Sequence, residues 1–143
     1  MGGGVLVAVS TAFVVERIDL NNTDFSLLPN VDIVCVKISI PKTSILYIFA
    51  LYVPPNSSID VYVKLFDSFE SLDFVLNKNV IIIGDFNISH YVLALSGVQD
   101  NKSRIFLEFC NYMGFHQNNN IANDFNRILD LVCSNKKCVV SKA

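Results

Sequence analysis

Val80-Ile81-Ile82-Ile83 runs without a break into Gly84-Asp85-Phe86-Asn87. No other stretch restricts the fold as much. Four branched apolar residues in succession predict a strand buried on both faces, because no polar position is left for a solvent side. Gly84 lets the backbone pass close to a neighbour. Asp85 and Asn87 then stand at the strand's carboxyl end. If extended geometry continues past the glycine, their side chains share one side and Phe86 points into the core. A rigid apolar strand thus delivers an anion and an amide to the rim of a sheet.

The chain around this strand reads as alternating strands and helices. Val5-Leu6-Val7-Ala8-Val9 follows three glycines and predicts a strand, and residues 13–18 a shorter one. Residues 32–40 and 44–52 are rich in Val, Ile and Tyr and are separated by Pro41-Lys42-Thr43, which predicts an antiparallel hairpin. Pro54-Pro55 ends the second of these strands, since neither proline can donate to a ladder. A helix starts near Ser57, with Ser57 and Asp60 close to capping-box spacing. Its apolar stripe is Val61, Leu65, Phe69, Leu72 and Leu76. A second helix begins at 101–103, turns Ile105, Phe106, Phe109, Cys110 and Met113 inward and closes at Gly114. Residues 115–117, 128–133 and 139–140 predict further strands. The whole, 1–143, reads as one α/β domain.

Composition narrows the function classes. With 143 residues and 52% hydrophobic content the chain can bury a sizeable core. Its longest apolar run, residues 45–53, suits a strand and is too short for a bilayer. The start lacks the positive region of a signal peptide, and Leu6 stands where a myristoylation signal has Ser or Thr. An intracellular protein, with no membrane partner, is the expectation. A net charge of −2 argues against a broad basic surface that holds nucleic acid by charge alone. The four cysteines form no C-x-x-C pair, and Cys35 and Cys110 sit in apolar patterns as buried thiols.

Four residues carry the candidate chemistry. Asp85 offers a hard oxygen for Mg2+ or a base that orients water. Asn87 can donate to a phosphate oxygen without adding repulsion. Tyr52, at another strand end, can donate its phenol to an attacking or leaving oxygen. Asp130 lies between Leu129 and Leu131. Facing inward it needs a partner such as a histidine that it orients; facing outward it is an edge residue in water. His90 and His116 are the only histidines, and neither stands at a recognisable partner spacing.

Together the glycine-led strand at 2–9, Tyr52-Val53-Pro54-Pro55, Gly84-Asp85-Phe86-Asn87 and Ile128-Leu129-Asp130-Leu131-Val132 resemble the endonuclease/exonuclease/phosphatase (DNase I-like) superfamily. Their order and spacing are most similar to the endonuclease domain of insect non-LTR retrotransposons. The resemblance implies a four-layer α/β sandwich, here partial, of two mainly antiparallel sheets flanked by helices. It implies Mg2+- or Mn2+-dependent hydrolysis of a phosphodiester, with Asp85 and Asn87 at the metal site. In that family Tyr52 would contact the phosphate, Asp85 would activate water, Asn87 would position the phosphate, and Asp130 would orient a histidine. DNA would be the substrate, in the nucleus, with the parent's own reverse transcriptase domain as partner.

The family pattern also has an earlier Asn and a metal-holding Glu ahead of the glycine strand, and a closing Ser-Asp-His. This sequence matches neither, and Glu16 does not stand at the Glu position. The expectation is therefore a truncated or degenerate copy with an incomplete metal site and little activity. Two alternatives remain: a non-catalytic remnant that binds a protein partner, and a phosphatase of the same superfamily acting on a small phosphoester.

Overall fold

The computed structural model describes residues 4–88 and 100–142. Strands β1 (Val14–Ile18), β2 (Asp32–Ser39), β3 (Ile45–Tyr52), β4 (Asn79–Asp85), β5 (His116–Gln117) and β6 (Asp130–Ser134) form one mixed sheet in the order β1-β2-β3-β4-β6-β5. A single 3-10 turn, Asp24–Leu27, lies between β1 and β2. Helices α1 (Ile59–Glu70) and α2 (Asp73–Asn77) connect β3 to β4, and α3 (Asn101–Met113) precedes β5. Among the described residues β3 and β4 are the one parallel pair; the other pairings are antiparallel. A parallel pair cannot be closed by a tight turn, so α1 and α2 serve as its crossover.

The core lies between the helices and one face of the sheet. Cys35, Phe49, Ile82 and Cys133 occupy one cross-strand row on that face, and all four are fully buried. Leu65 and Phe69 from α1 and Phe106 from α3 meet them in the same cluster. Phe69 packs edge-on against Phe49 at 5.0 Å, and Phe66 stacks on Phe109 at 4.7 Å, joining α1 to α3. Each such ring withdraws enough apolar area to contribute about 1.5–3 kcal/mol. Burial pushes the Cys35 thiol up to about 12, and Cys133 is raised by its hydrogen bond with Cys110 and then by burial. The cysteines are free; Cys35 and Cys110 are buried, as their apolar settings predict, and so is Cys133.

The α/β class and the β2–β3 hairpin match the sequence reading, and several details do not. β4 is buried on one face only. Val80 and Ile82 face the helices, whereas Ile83 is 40% exposed. The apolar run reports β propensity on both faces, but only one face receives a helix layer among the described residues. Residues 5–9 are not a strand. Their burial alternates, with Leu6 88% exposed, yet no ladder forms: propensity extends the backbone, and pairing needs an available edge. Residues 139–140 are likewise unpaired, with Val139 85% exposed.

The long helix expected after the prolines is two helices. Leu72 is extended (φ −85°, ψ 108°) and caps α2, and Leu76 is 56% exposed. The cap of α1 is Ser58, with no side-chain hydrogen bond. Ser57 instead donates its hydroxyl to the Pro54 carbonyl at 2.7 Å. α3 matches its reading closely. Asp100 accepts from the Ser103 N–H at 3.0 Å, and Gly114 closes the helix in the left-handed conformation (φ 67°).

Gly84 is required by packing. A Cβ there would overlap the Leu51 carbonyl oxygen and lie 2.8 Å from its carbon, both backbone atoms that cannot swing aside. Gly84→Ala is expected to lower stability by about 1–3 kcal/mol or more through forced separation of β3 and β4. Urea denaturation measures it, and a variant as stable as the parent would contradict this close approach.

Candidate active site

The register of the sheet lines up one row of polar side chains at its rim. Asp32 pairs with Tyr52, Tyr52 with Asp85, and Asp85 with Asp130. Residues directly opposite each other share a face. All four side chains therefore stand on the face away from the helices, in the order Asp32–Tyr52–Asp85–Asp130. The next row inward, Val34–Ala50–Ile83–Val132, is entirely apolar.

Asn87 reaches this row by a turn and not by strand alternation. β4 ends at Asp85, and Asn87 adopts a left-handed backbone with φ 49°. A side-chain-to-backbone bond explains the turn. The Asn87 N–H donates to Asp85 Oδ1 at 2.9 Å, an arrangement that favours Asn in that conformation. Further bonds hold the segment from every side. Val53 N–H donates to the Asp85 carbonyl at 2.9 Å, and Phe86 N–H to the Leu129 carbonyl at 3.2 Å. Asn87 Nδ2 donates to the Val53 carbonyl at 2.7 Å, leaving its Oδ1 as an acceptor. Tyr62 donates its hydroxyl to the Phe86 carbonyl at 2.7 Å.

Three of the sequence candidates, Tyr52, Asp85 and Asp130, thus share one row, and Asn87 is tied to it. Asp130 begins β6 with its side chain exposed, which decides for its outward reading. His116 pairs with Ser134, at the far end of β6 from Asp130. His90 lies outside the described residues. Two site neighbours escaped the sequence reading. Asp32 and Tyr52 are equally far from the turn at 40–44, so hairpin counting would have found Asp32. Tyr62 is fully buried beneath Phe86 and carries no motif. Burial, with Asp85 and Asp100 nearby, pushes its phenol up to about 12, so it remains a donor at any ordinary pH.

Electrostatics oppose this arrangement. Partial burial raises the Asp85 carboxyl, the Asn87 N–H acts in the opposite direction, and Asp130 across the strand pair raises it again. Hard oxygens from Asp85, Asp130 and Asn87 would suit Mg2+, which takes one or two carboxylates and fills its octahedron with water and phosphate. Among the described residues no cluster of three or more His, Cys, Asp or Glu side chains could hold a metal, so the donor set fits that sparse mode and no denser one.

A carboxyl raised on folding stabilises the protein while protonated and loses that contribution as pH rises through its folded value. Ionised Asp85 therefore destabilises the metal-free fold at neutral pH. Asp85→Asn, which keeps the oxygen that accepts from Asn87, is expected to raise Tm at pH 7 in EDTA. The gain should shrink as pH falls toward about 3.9, the ordinary aspartate value. A gain that does not change with pH would contradict the electrostatic origin. Tyr62→Phe strands the buried Phe86 carbonyl and is expected to cost about 1–3 kcal/mol in denaturant unfolding.

The family described as endonuclease-reverse transcriptase matches residues 46–142, from β3 to beyond β6. No curated protein matches the sequence. Among solved structures, the chain is similar to the endonuclease domain of TRAS1, a telomere-specific non-LTR retrotransposon. The identity is 16% and the TM-score 0.58, over 87% of this chain and 57% of that one. It is also similar to the human Nocturnin catalytic domain with bound sulfate anion, with 10% identity and a TM-score of 0.56, over 85% and 48% of the two chains. The chain thus spans about half the length of either structure, and at these identities the likeness is one of fold. Taken with the match across most of its length, the chain belongs to the endonuclease-reverse transcriptase family, within the DNase I-like superfamily.

Proposed function

We propose that the rim row is the site of a Mg2+- or Mn2+-dependent phosphodiesterase that nicks DNA. One observation carries the reading: an acid and an amide are bonded to each other and to Val53, and Phe86 between them to Leu129, before any ligand arrives. Such preorganisation is what hydrolysis of a charged diester needs, since donors and acceptors must be aimed where charge develops.

Asp85 orients or deprotonates the attacking water. Asn87, with one amide hydrogen spent on Val53, directs the other to a phosphate oxygen. Tyr52, between Asp32 and Asp85 in the row, offers its phenol to the same phosphate. Asp85 and Asn87, with Asp130 across the strand pair, would hold the divalent cation, which supplies Lewis-acid polarisation of the phosphate. Turnover is slow, because the opposed carboxylates of Asp85 and Asp130 repel the charged diester until a cation offsets them. In a parent carrying both activities, the nick's 3′ hydroxyl would prime reverse transcription, making the reverse transcriptase domain the partner and nuclear DNA the place of action. Among the described residues no helix is long and apolar enough to cross a membrane.

Supercoiled plasmid incubated with Mg2+ tests the proposal. Slow nicking is expected, abolished by EDTA and reduced about 100-fold by Asp85→Ala or Asn87→Ala, in the range of a lost general acid–base contribution. No nicking by the parent chain, or nicking that both variants retain, would overturn it.

A further inference from the structure

Strand β2 outruns its neighbour. The last β1–β2 pair is Ile18 with Cys35, so Asp32, Ile33 and Val34 pair with β3 on one side and, among the described residues, with no strand on the other. A cavity of about 540 Å3 occupies the space that β1 leaves, a size in the range of small-molecule sites. Phe25 and Ile33 contribute apolar wall, and Arg17, Asp19, Asn21 and Asp32 contribute polar groups.

Two of these groups are ready for a ligand. The Asn21 N–H donates to Asp19 Oδ1 at 2.9 Å, which fixes the turn and leaves the Asn21 carboxamide unspent. Neither that carboxamide nor the Arg17 guanidinium has a hydrogen-bond or ion-pair partner among the described residues. The open edge of β2 adds backbone donors and acceptors.

Charge selects the kind of ligand. One guanidinium and two carboxylates line the cavity, so it disfavours a phosphate and accepts a neutral ring. Ionised carboxylates only accept hydrogen bonds; an exocyclic amino group offers two N–H donors, one for each carboxylate, where the ring N–H of thymine serves only one. A carboxamide complements the adenine edge, and a guanidinium plane stacks on a base. The cavity also adjoins the proposed site, because Asp32 pairs directly with Tyr52.

The geometry points to a nucleobase subsite that receives the base flanking the scissile phosphate and selects bases bearing an exocyclic amine. The identity of the ligand rests on the phosphodiesterase reading, but its binding can be measured without catalysis. Deoxycytidine, deoxyadenosine and thymidine are titrated into 15N-labelled protein in EDTA. The amino-bearing nucleosides are expected to shift the amides of Asn21, Ile33 and Val34, with thymidine weaker by about fivefold or more. Arg17→Ala and Asn21→Ala are each expected to weaken deoxyadenosine by a similar factor, the lower end of discrimination by one base contact. No shift at these amides, thymidine binding equally well, or both variants binding like the parent would overturn the subsite. Because these titrations are metal-free, a failure to nick plasmid leaves their outcome readable.

Discussion

The parallel pairing of β3 with β4 is the constraint from which the site follows. Parallel neighbours end at the same edge of a sheet, so Tyr52 and Asp85 are brought together as terminal residues of adjacent strands. Their antiparallel partners β2 and β6 must begin at that edge, which places Asp32 and Asp130 beside them. Ligand sites in open α/β sheets lie outside strand carboxyl ends for this reason: the chain is leaving the sheet there, and its polar groups are free to turn outward. The same pairing demands a crossover, and α1 and α2 supply both the crossover and the helix layer that buries Phe49 and Ile82. Close contact at Gly84 keeps the two strand ends level. A side chain at that position would separate Tyr52 from Asp85 while leaving each residue intact.

The rim row is expensive in isolation. Two carboxylates directly opposite each other on neighbouring strands repel, and partial burial of Asp85 makes its charge costlier still. Nothing among the described residues neutralises the pair. The fold tolerates this because the turn beneath is over-determined, with backbone and side-chain bonds from Val53, Tyr62, Asp85 and Leu129 converging on Phe86 and Asn87. An unrelieved charge on a rigid support is the usual mark of a place meant for a ligand of opposite charge.

What could be read from the sequence was whatever depends on local pattern. The β-branched run before Gly84, the Pro54-Pro55 stop, the hairpin at 40–44 and the Gly114 cap each have a cause within a few residues. Face-dependent properties were not legible. Ile83 is exposed and Ile82 buried although the two are identical in type, because only the packing of α1 and α3 distinguishes the faces. Residues 5–9 show the same limit: β propensity is strong there, but whether such a segment pairs is decided by the edges available. Asn87 was assigned to the correct neighbourhood by an incorrect route. Alternation along a strand was expected, and an Asp–Asn side-chain turn does the positioning. Tyr62 could not be singled out, since a tyrosine on an apolar helix face reads as core until its hydroxyl is seen to hold Phe86.

Unequal strand lengths account for the remaining feature of the rim. β3 and β4 finish level, β2 starts level with them, and β1 stops short. The level strands supply a continuous polar row, and the short one supplies a hollow beside it. β1 stops where it does because Asp19 accepts from the Asn21 N–H, a local bond that turns the chain off the sheet before the edge is reached. Two side-chain-to-backbone bonds, Asp19 to Asn21 beside the row and Asp85 to Asn87 within it, therefore shape this edge. Both are Asp-x-Asn sequences, and in both the acid accepts the amide N–H two residues on. They differ in setting: the first borders a cavity with Phe25 and Ile33 in its wall, and the second projects an acid and an amide from a strand buried on one face. The same three-residue device makes a recess in one place and a polar rim in the other, according to what lies beneath it.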